Sequence, residues 1–246
     1  MTILFLAFAP IILILIYINY RDKYEKEPLG LLLKALAAGA IITIPVILIE
    51  IALGEAYIPT DNIVNALYTG FVVAGFTEEL FKFLAFYLLI WKNRNFNEYF
   101  DGIIYAVFIS LGFAAVENFF YVFGKGGGVG ILRAFTAVPA HALFGVTMGY
   151  YFSIARFKEE SASKYLWLAF LVPVLIHGLY DFFLMSGNGL MLLIFLPFFI
   201  YLWISGFKRM KRHSENSVFK NRQNLDPTLE PPGEDTYGMD NRSTEL

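Results

Sequence analysis

The sequence predicts an all-α fold, a polytopic membrane bundle of about seven transmembrane helices, and three observations predict it. Of 246 residues, 57% are hydrophobic, 18% aromatic and only 16% charged, too apolar for an ordinary soluble domain. Apolar runs recur at lengths near the ~20 helical residues that a ~30 Å hydrocarbon core requires. The polar loops between them are short, and their positive charge alternates from side to side. In lipid a helix satisfies every backbone hydrogen bond within its own segment, which makes it the natural spanning element.

The spans fall at roughly 2–19, 31–53, 63–91, 101–123, 134–155, 165–185 and 189–206. Span one has no basic stretch before it and no small-residue cleavage site, so it reads as a retained helix and not a removed signal peptide. Arg21, Lys23, Lys26 and Lys34 follow it, whereas loop 54–62 carries no lysine or arginine. Lys92 and Arg94 follow span three, only Lys125 and Arg133 lie between spans four and five, and Arg156, Lys158 and Lys164 come next. The loop around Gly187 has no basic residue, and Lys208, Arg209, Lys211 and Arg212 close span seven. The positive-inside rule then places the N-terminus outside and the C-terminus in the cytoplasm. Residues 1–212 form the membrane domain. Residues 213–246, polar and acidic with Pro227, Pro231 and Pro232, read as a disordered cytoplasmic tail. The absence of cysteine excludes disulfides, thiolate ligands and cysteine nucleophiles, so any metal must use nitrogen and oxygen ligands. Nothing points to nucleic acid.

Several spans contain residues that lipid does not tolerate cheaply: Glu78, Glu79 and Lys82 in span three, Glu117 in span four, His141 in span five, and His177 with Asp181 in span six. A charge or imidazole at bilayer depth costs several kcal/mol, so each is a candidate functional residue. At 1.5 Å per helical residue, Glu117, His141 and His177 each fall roughly 10 Å below the outer interface. Span three is over-long, and if its embedded part begins near Gly70, Glu78 and Glu79 lie at the same depth. Four helices thus direct polar groups to one layer, which predicts a cavity. Other polar positions have simpler readings: Glu50 as an interfacial residue, and Asp101 as the N-cap of span four. His141 alone would suit packing or ligation equally. Phe119-Phe120 and Phe182-Phe183 read as lipid-facing or packing residues.

Spacing suggests how the polar groups cooperate. Lys82 lies i+4 from Glu78 and i+3 from Glu79, so it can neutralise one carboxylate and leave the other free. Asp181 is i+4 from His177 and can fix its tautomer. Pro139 precedes His141, and Pro173 removes a backbone bond one turn before His177, as befits helices lining a cavity. Gly145 and Gly149 let another helix approach closely below His141.

Two imidazoles and several carboxylates in a wet intramembrane pocket suit hydrolysis, with a glutamate taking a proton from water and histidines binding a metal or stabilising an oxyanion. His141, His177 and one glutamate have the composition of a His₂Glu zinc site, with Glu79 and Glu117 as carboxylate candidates and another glutamate left as base. There is no H-E-x-x-H helix, no G-x-S-x-G elbow, and no G-x-G-D partner for Tyr180-Asp181. Two rivals belong to other classes. A proton-coupled transporter also uses such residues, but the chain shows no inverted repeat and its polar groups gather at one depth. A non-catalytic scaffold binding a partner helix would tolerate Glu79→Gln.

Glu78-Glu79-x-x-Lys82, Asp101-Gly102-Ile103, Glu117-Asn118, His141 and His177-Gly178-x-Tyr180-Asp181, in this order on successive spans, resemble the PrsW-type intramembrane proteases. These are relatives of the CAAX-processing and abortive-infection membrane proteases. The stretch Asp22-Lys23-x-Glu25-Lys26-Glu27-Pro28 and the lysine-rich end of span seven resemble that family too, so the likeness covers about residues 1–212. It implies a multi-pass protease of the bacterial plasma membrane that makes the first, extracytoplasmic-side cut in a single-pass anti-sigma factor, freeing an envelope-stress sigma factor. It also implies that Glu78, Glu79 and His177 are essential, that Glu117 and His141 complete the site, and that Lys82, Asn118 and Asp181 support it. Zinc and metal-free glutamate mechanisms both remain open, as does the division of labour between Glu78 and Glu79.

Overall fold

The computed structural model describes residues 2–58 and 61–220, and all regular structure among them is helical. The order is α1 (Thr2–Arg21), α2 (Leu29–Ala56), α3 (Asn62–Leu67), a π-helical segment (Tyr68–Phe76), α4 (Thr77–Leu89), α5 (Tyr99–Lys125), α6 (Gly127–Phe135), α7 (Ala137–Phe157), a 3₁₀ turn (Glu159–Ser161), α8 (Ala162–Met185) and α9 (Gly189–Glu215). Among the described residues, six stretches are long and apolar enough to cross a membrane: α1, α2, α5, α6 with α7, α8 and α9. The third expected span is instead a helical run in three pieces, α3, the π segment and α4, none of them long enough by itself. The wider π turns are marked by the Thr77 hydroxyl, which donates to the carbonyl of Val72 five residues back at 3.2 Å. Such segments often occur at functional sites.

Local chemistry sets the ends. Asp61 caps α3 by accepting from Val64 N (2.8 Å), and Asn188 caps α9 by accepting from Leu190 N (2.9 Å). The turns after α5 and α8 need positive φ, supplied by Gly126 (+87°) and Gly187 (+65°). Asp101 is not the N-cap of α5. That position belongs to Glu98, and Asp101 sits at N3, its Oδ2 accepting from Asn97 N (2.8 Å) and Glu98 N (2.6 Å) as the returning half of a capping box.

α5 forms the axis, packed against α1, α2 and α7. Its span is 72% buried, against 17% for α1, α2 and α9, whose exposed Leu13, Ile41, Leu48 and Leu193 face outward as lipid-facing residues do. Small residues allow this closeness. A Cβ at Gly149 would come within 2.0 Å of Gly102 O, and one at Gly112 within 2.0 Å of Leu36 O. Gly145 also meets α5 as expected, with Ala106 O 3.0 Å from a Cβ built there. The π segment presses on α8 in the same way: a Cβ at Gly75 would lie 3.0 Å from Gly178 N. α8 runs unbroken through Pro173.

α9 extends to Glu215, and the following residues return to the bundle instead of leaving at residue 213. His213 is buried with its Nε2 3.0 Å from Tyr150 O, Ser217 donates to Glu98, and Phe219 is buried. Residues 221–246, the rest of the expected disordered tail, lie outside the described residues. At this end the α1–α2 turn buries Asp22 and Glu27, and the Tyr105 hydroxyl donates to Glu27. Burial, reinforced by the nearby carboxylates of Glu27 and Glu98, pushes the Asp22 carboxyl up to about 8. Burial likewise raises Glu27 and Glu98 to about 7 each.

Candidate active site

The π segment delivers the first turn of α4 into the interior, so Glu78, Glu79 and Lys82 are all buried. Lys82 uses its ammonium fully: Nζ donates to Glu78 Oε2 (2.9 Å) and Glu79 Oε1 (2.8 Å), lies 3.2 Å from His141 Nδ1, and stands 4.4 Å above the Phe113 ring. An ammonium can only donate, so His141 Nδ1 accepts and the proton of that ring is on Nε2. Nε2 then donates to Glu117 Oε2 at 2.9 Å. Glu117 also receives Arg133 at 2.8 Å. One relay therefore runs from α4 through α7 and α5 to α6.

α8 supplies the other wall. His177 Nδ1 is 2.9 Å from Glu79 Oε1, and Nε2 is 3.3 Å from Asp181 Oδ2. The i, i+4 pairing anticipated from spacing is present, with Glu79 engaging the other nitrogen. Both partners are acceptors, so each ring nitrogen that carries a proton donates to a carboxylate. Phe144 stacks on the His177 ring at 4.6 Å and holds its plane.

The two glutamates differ in what they face. Glu79 is fully buried, whereas Glu78 lines a cavity of about 690 Å³. Also on its walls are Glu50 from α2, Glu117 and Tyr121 from α5, Arg133 from α6, His141 from α7, and His177 and Asp181 from α8. Glu78 sits between the imidazoles, Oε1 4.0 Å from His177 Nε2 and Oε2 4.0 Å from His141 Nδ1. Those gaps exceed a direct hydrogen bond and leave its outer face to the cavity.

Glu78, Glu79, Lys82, Glu117, His141, His177 and Asp181 all reach this cluster. Asn118 lies at its edge as a strut, with Nδ2 donating to Ala7 O (2.8 Å) and Oδ1 accepting from Arg133 Nε (2.9 Å). Arg133 was missed, read only as a loop charge, because nothing in a linear sequence says that α6 folds back over the cavity. Glu50, read as interfacial, is half-buried on the cavity wall.

The expected ligand set was His141, His177, Glu79 and Glu117. Among the described residues, the group able to share an ion is instead Glu78, Glu79 and His177, with one ligand atom from each, all within 4.8 Å of one another. His141 and Glu117 drop out because Lys82 occupies His141 Nδ1, while Glu117 is engaged by His141 Nε2 and Arg133. The remaining trio fits a divalent ion of the zinc class: one imidazole and two carboxylates are a suitable donor set, and Glu79 Oε2 is buried with no hydrogen-bond partner. Lys82 holds the same two carboxylates and would have to yield or share them.

A family profile described as PrsW family intramembrane metalloprotease matches residues 27–204. The chain is 37% identical over 218 residues to Protease PrsW of Oceanobacillus iheyensis, covering 89% of this chain and 99% of that relative. It is 36% identical to the protein of the same name from Clostridioides difficile (86% and 91% covered) and 34% identical to that from Bacillus subtilis (83% and 92%). No solved structure matches the chain. With its apolar helices and polar intramembrane cluster, this chain is a multi-pass membrane peptidase and belongs to the PrsW family of intramembrane proteases.

Proposed function

We propose that this peptidase cuts a single-pass anti-sigma factor near the outer end of its membrane helix, with Glu78 as the general base. The observation that carries the base assignment is the unequal placement of the glutamate pair: Glu78 lines the cavity between two imidazoles, and Glu79 is sealed beneath it. In this reading the α3–π–α4 run is a seventh crossing. The basic loops after α1 and α4 and at the end of α9 are cytoplasmic, and the cavity opens toward the outer leaflet. The anti-sigma substrate and the bacterial plasma membrane follow from the family likeness.

Glu78 takes a proton from water as the water oxygen attacks the scissile carbonyl carbon, and the carbonyl π electrons move onto oxygen. The His177 side chain, on the cavity wall, stabilises that oxyanion. Collapse of the tetrahedral intermediate breaks the C–N bond, and Glu78 returns its proton to the leaving amine. Lys82 holds both carboxylates in place, and Asp181 and Glu79 orient the His177 ring. Glu78, Glu79 and His177 would hold a zinc-class ion, which when bound would lower the pKa of its water and polarise the carbonyl.

The test is an immunoblot of a tagged single-pass anti-sigma factor co-expressed with wild type, Glu78→Gln, Glu79→Gln or His177→Ala at matched membrane levels. A fragment shortened on its outer side with wild type and absent from the variants supports the site and the substrate class. Cleavage unchanged in the variants overturns the site, and no fragment with wild type overturns the substrate. Purified enzyme that keeps its activity after exhaustive chelation would exclude the metal version.

A further inference from the structure

The carboxylates on the cavity wall are paired, with one exception. Glu78 holds Lys82, Glu117 meets Arg133 and His141, and Asp181 lies against His177. Glu50 of α2 also lines the cavity and is half-buried, yet among the described residues no hydrogen bond or ion pair reaches its carboxylate. It stands six residues before the end of α2 at Ala56, roughly 9 Å along the helix. The charged and titratable groups within electrostatic reach of it are Glu78, Glu117, His177 and Lys82.

An ionisable side chain at bilayer depth is costly, and it persists where it pairs with another group or serves a substrate. Packing does not explain Glu50: Ile41, Ile44 and Leu48 of the same helix are exposed as lipid-facing residues are, while residue 50 shares the cavity wall with Ile47. The relay does not need it either, since Glu78, Glu79 and Glu117 already engage Lys82, Arg133 and the imidazoles. The wall carries Glu50, Glu78, Glu117 and Asp181 against Lys125 and Arg133, and Glu117 takes Arg133. Glu79 and Lys82 offset one another behind it. A cleft with an excess of one charge between low-dielectric walls concentrates the opposite charge. At about 690 Å³ the cavity is within the range of roughly 300–1,000 Å³ that encloses a bound ligand, which leaves room for a few residues of an opened helix. Lysine and arginine are the cations such a helix can bring, because their apolar stems carry the charged end away from lipid.

We propose that Glu50 is a specificity-determining residue, which pairs with a lysine or arginine side chain of the substrate helix close to the scissile bond. The pair would set which peptide bond is presented to Glu78, and Glu50 itself would exchange no proton in the reaction. This deepens the reading above by naming a feature of the substrate. It rests on the peptidase activity and the cavity, and does not require the substrate to be an anti-sigma factor.

The experiment co-expresses the full chain with a pool of tagged single-pass helices, anti-sigma factors and unrelated membrane anchors alike, each in versions carrying Lys, Gln or Glu at successive positions through the helix. Cut sites and rates are read by mass spectrometry of the new termini, after subtraction of an empty-vector culture. Wild type is expected to cut the Lys version of a site at least about tenfold faster than the Gln version, the effect of one hydrogen bond between charged groups. Glu50→Gln should bring that ratio close to one, and Glu50→Lys should turn the preference to the Glu version. The ratio is taken within one membrane, so it does not depend on how much of a variant folds. No charge preference in wild type, or an unchanged ratio in Glu50→Gln, overturns the proposal, as does a pool in which no member is cut. If neither variant accumulates, the wild-type ratio decides: tenfold supports the pairing and parity rejects it. If unrelated anchors are cut and anti-sigma factors are not, the anti-sigma reading fails, while the Lys-to-Gln ratio on those anchors still decides the role of Glu50.

Discussion

The carboxylates around Lys82 and those around Asp22 are both taken out of water, yet among the described residues only the first group forms ion pairs with lysine or arginine side chains. Glu78 and Glu79 share the Lys82 ammonium, Glu117 has Arg133, and imidazoles fill the gaps. Asp22, Glu27 and Asp101 have a tyrosine hydroxyl, two backbone amides and orphaned oxygens. A set of fixed, mutually compensated charges keeps its geometry and can face a cavity ready to act on charge that develops there. A set without such pairing holds its protons to higher pH, as Asp22, Glu27 and Glu98 do, which makes it a place where pH alters stability. The first arrangement suits catalysis, and the second ties the α1–α2 turn to the start of α5.

The largest expected break in this comparison is Glu78→Gln. Removing the base should lower the single-turnover cleavage rate by about 10²–10⁴-fold and lower the thermal midpoint less than loss of Lys82 does, because Lys82 keeps Glu79 as its counter-charge. Cleavage within tenfold of wild type would remove Glu78 as the base. Lys82→Met should act through stability, costing about 3–5 kcal/mol by stranding two buried carboxylates, read as a lowered midpoint in nanodiscs. Asp22→Asn should instead raise the midpoint at pH 8.5, where the buried Asp22 carboxyl otherwise ionises. If both substitutions shift the midpoint in the same direction, the contrast between the clusters fails.

Arg133→Ala should slow cleavage by about 10–100-fold, the usual range for a residue that orients another. Arg133→Lys should recover little of it, because one ammonium cannot reproduce the guanidinium's fork to Glu117 and Asn118. Full activity in Arg133→Ala would show that the Glu117–His141 relay is oriented without it. The smallest effect is on pH dependence. Asp22, Glu27 and Glu98 hold their protons more tightly folded than unfolded, so the stability they contribute is fully present below pH ~4 and lost as pH rises through about 7 to 8. The groups facing them are Glu25, Asp101, Tyr105 and Lys26. The protein should therefore melt lower at pH 8.5 than at pH 6. A midpoint that rises over that interval would contradict the assignment.

The membrane spans were legible because hydropathy is a local count, and a run of twenty apolar residues needs no tertiary information to be recognised. Glu78, Glu79, Glu117, His141, His177 and Asp181 were legible for the complementary reason that each breaks such a run at high cost. Arg133 lay in a stretch where a basic residue is unremarkable, and its role depends on how α6 folds back. Asp101 was misread because a cap position is settled by where the helix begins, and α5 begins two residues earlier, at Tyr99, with Glu98 as its cap. The acidic residues of the α1–α2 turn stood out in the sequence only as part of the family-like stretch from Asp22 to Pro28. Their burial comes from packing against α5 and from the return of residues 217–219.

The sequence by itself determined that this chain is a helical membrane protein and which polar residues its membrane interior must accommodate, because both follow from the cost of placing each residue in lipid. Only the tertiary structure decided which glutamate meets the cavity, which residues can share a metal ion, and which buried carboxylates form ion pairs with lysine or arginine. Those outcomes depend on the rotation of α4 after the π segment and on the close approach of α5, α7 and α8 at their glycines. Rotation and approach are properties of helix pairs, and no single stretch of chain contains them.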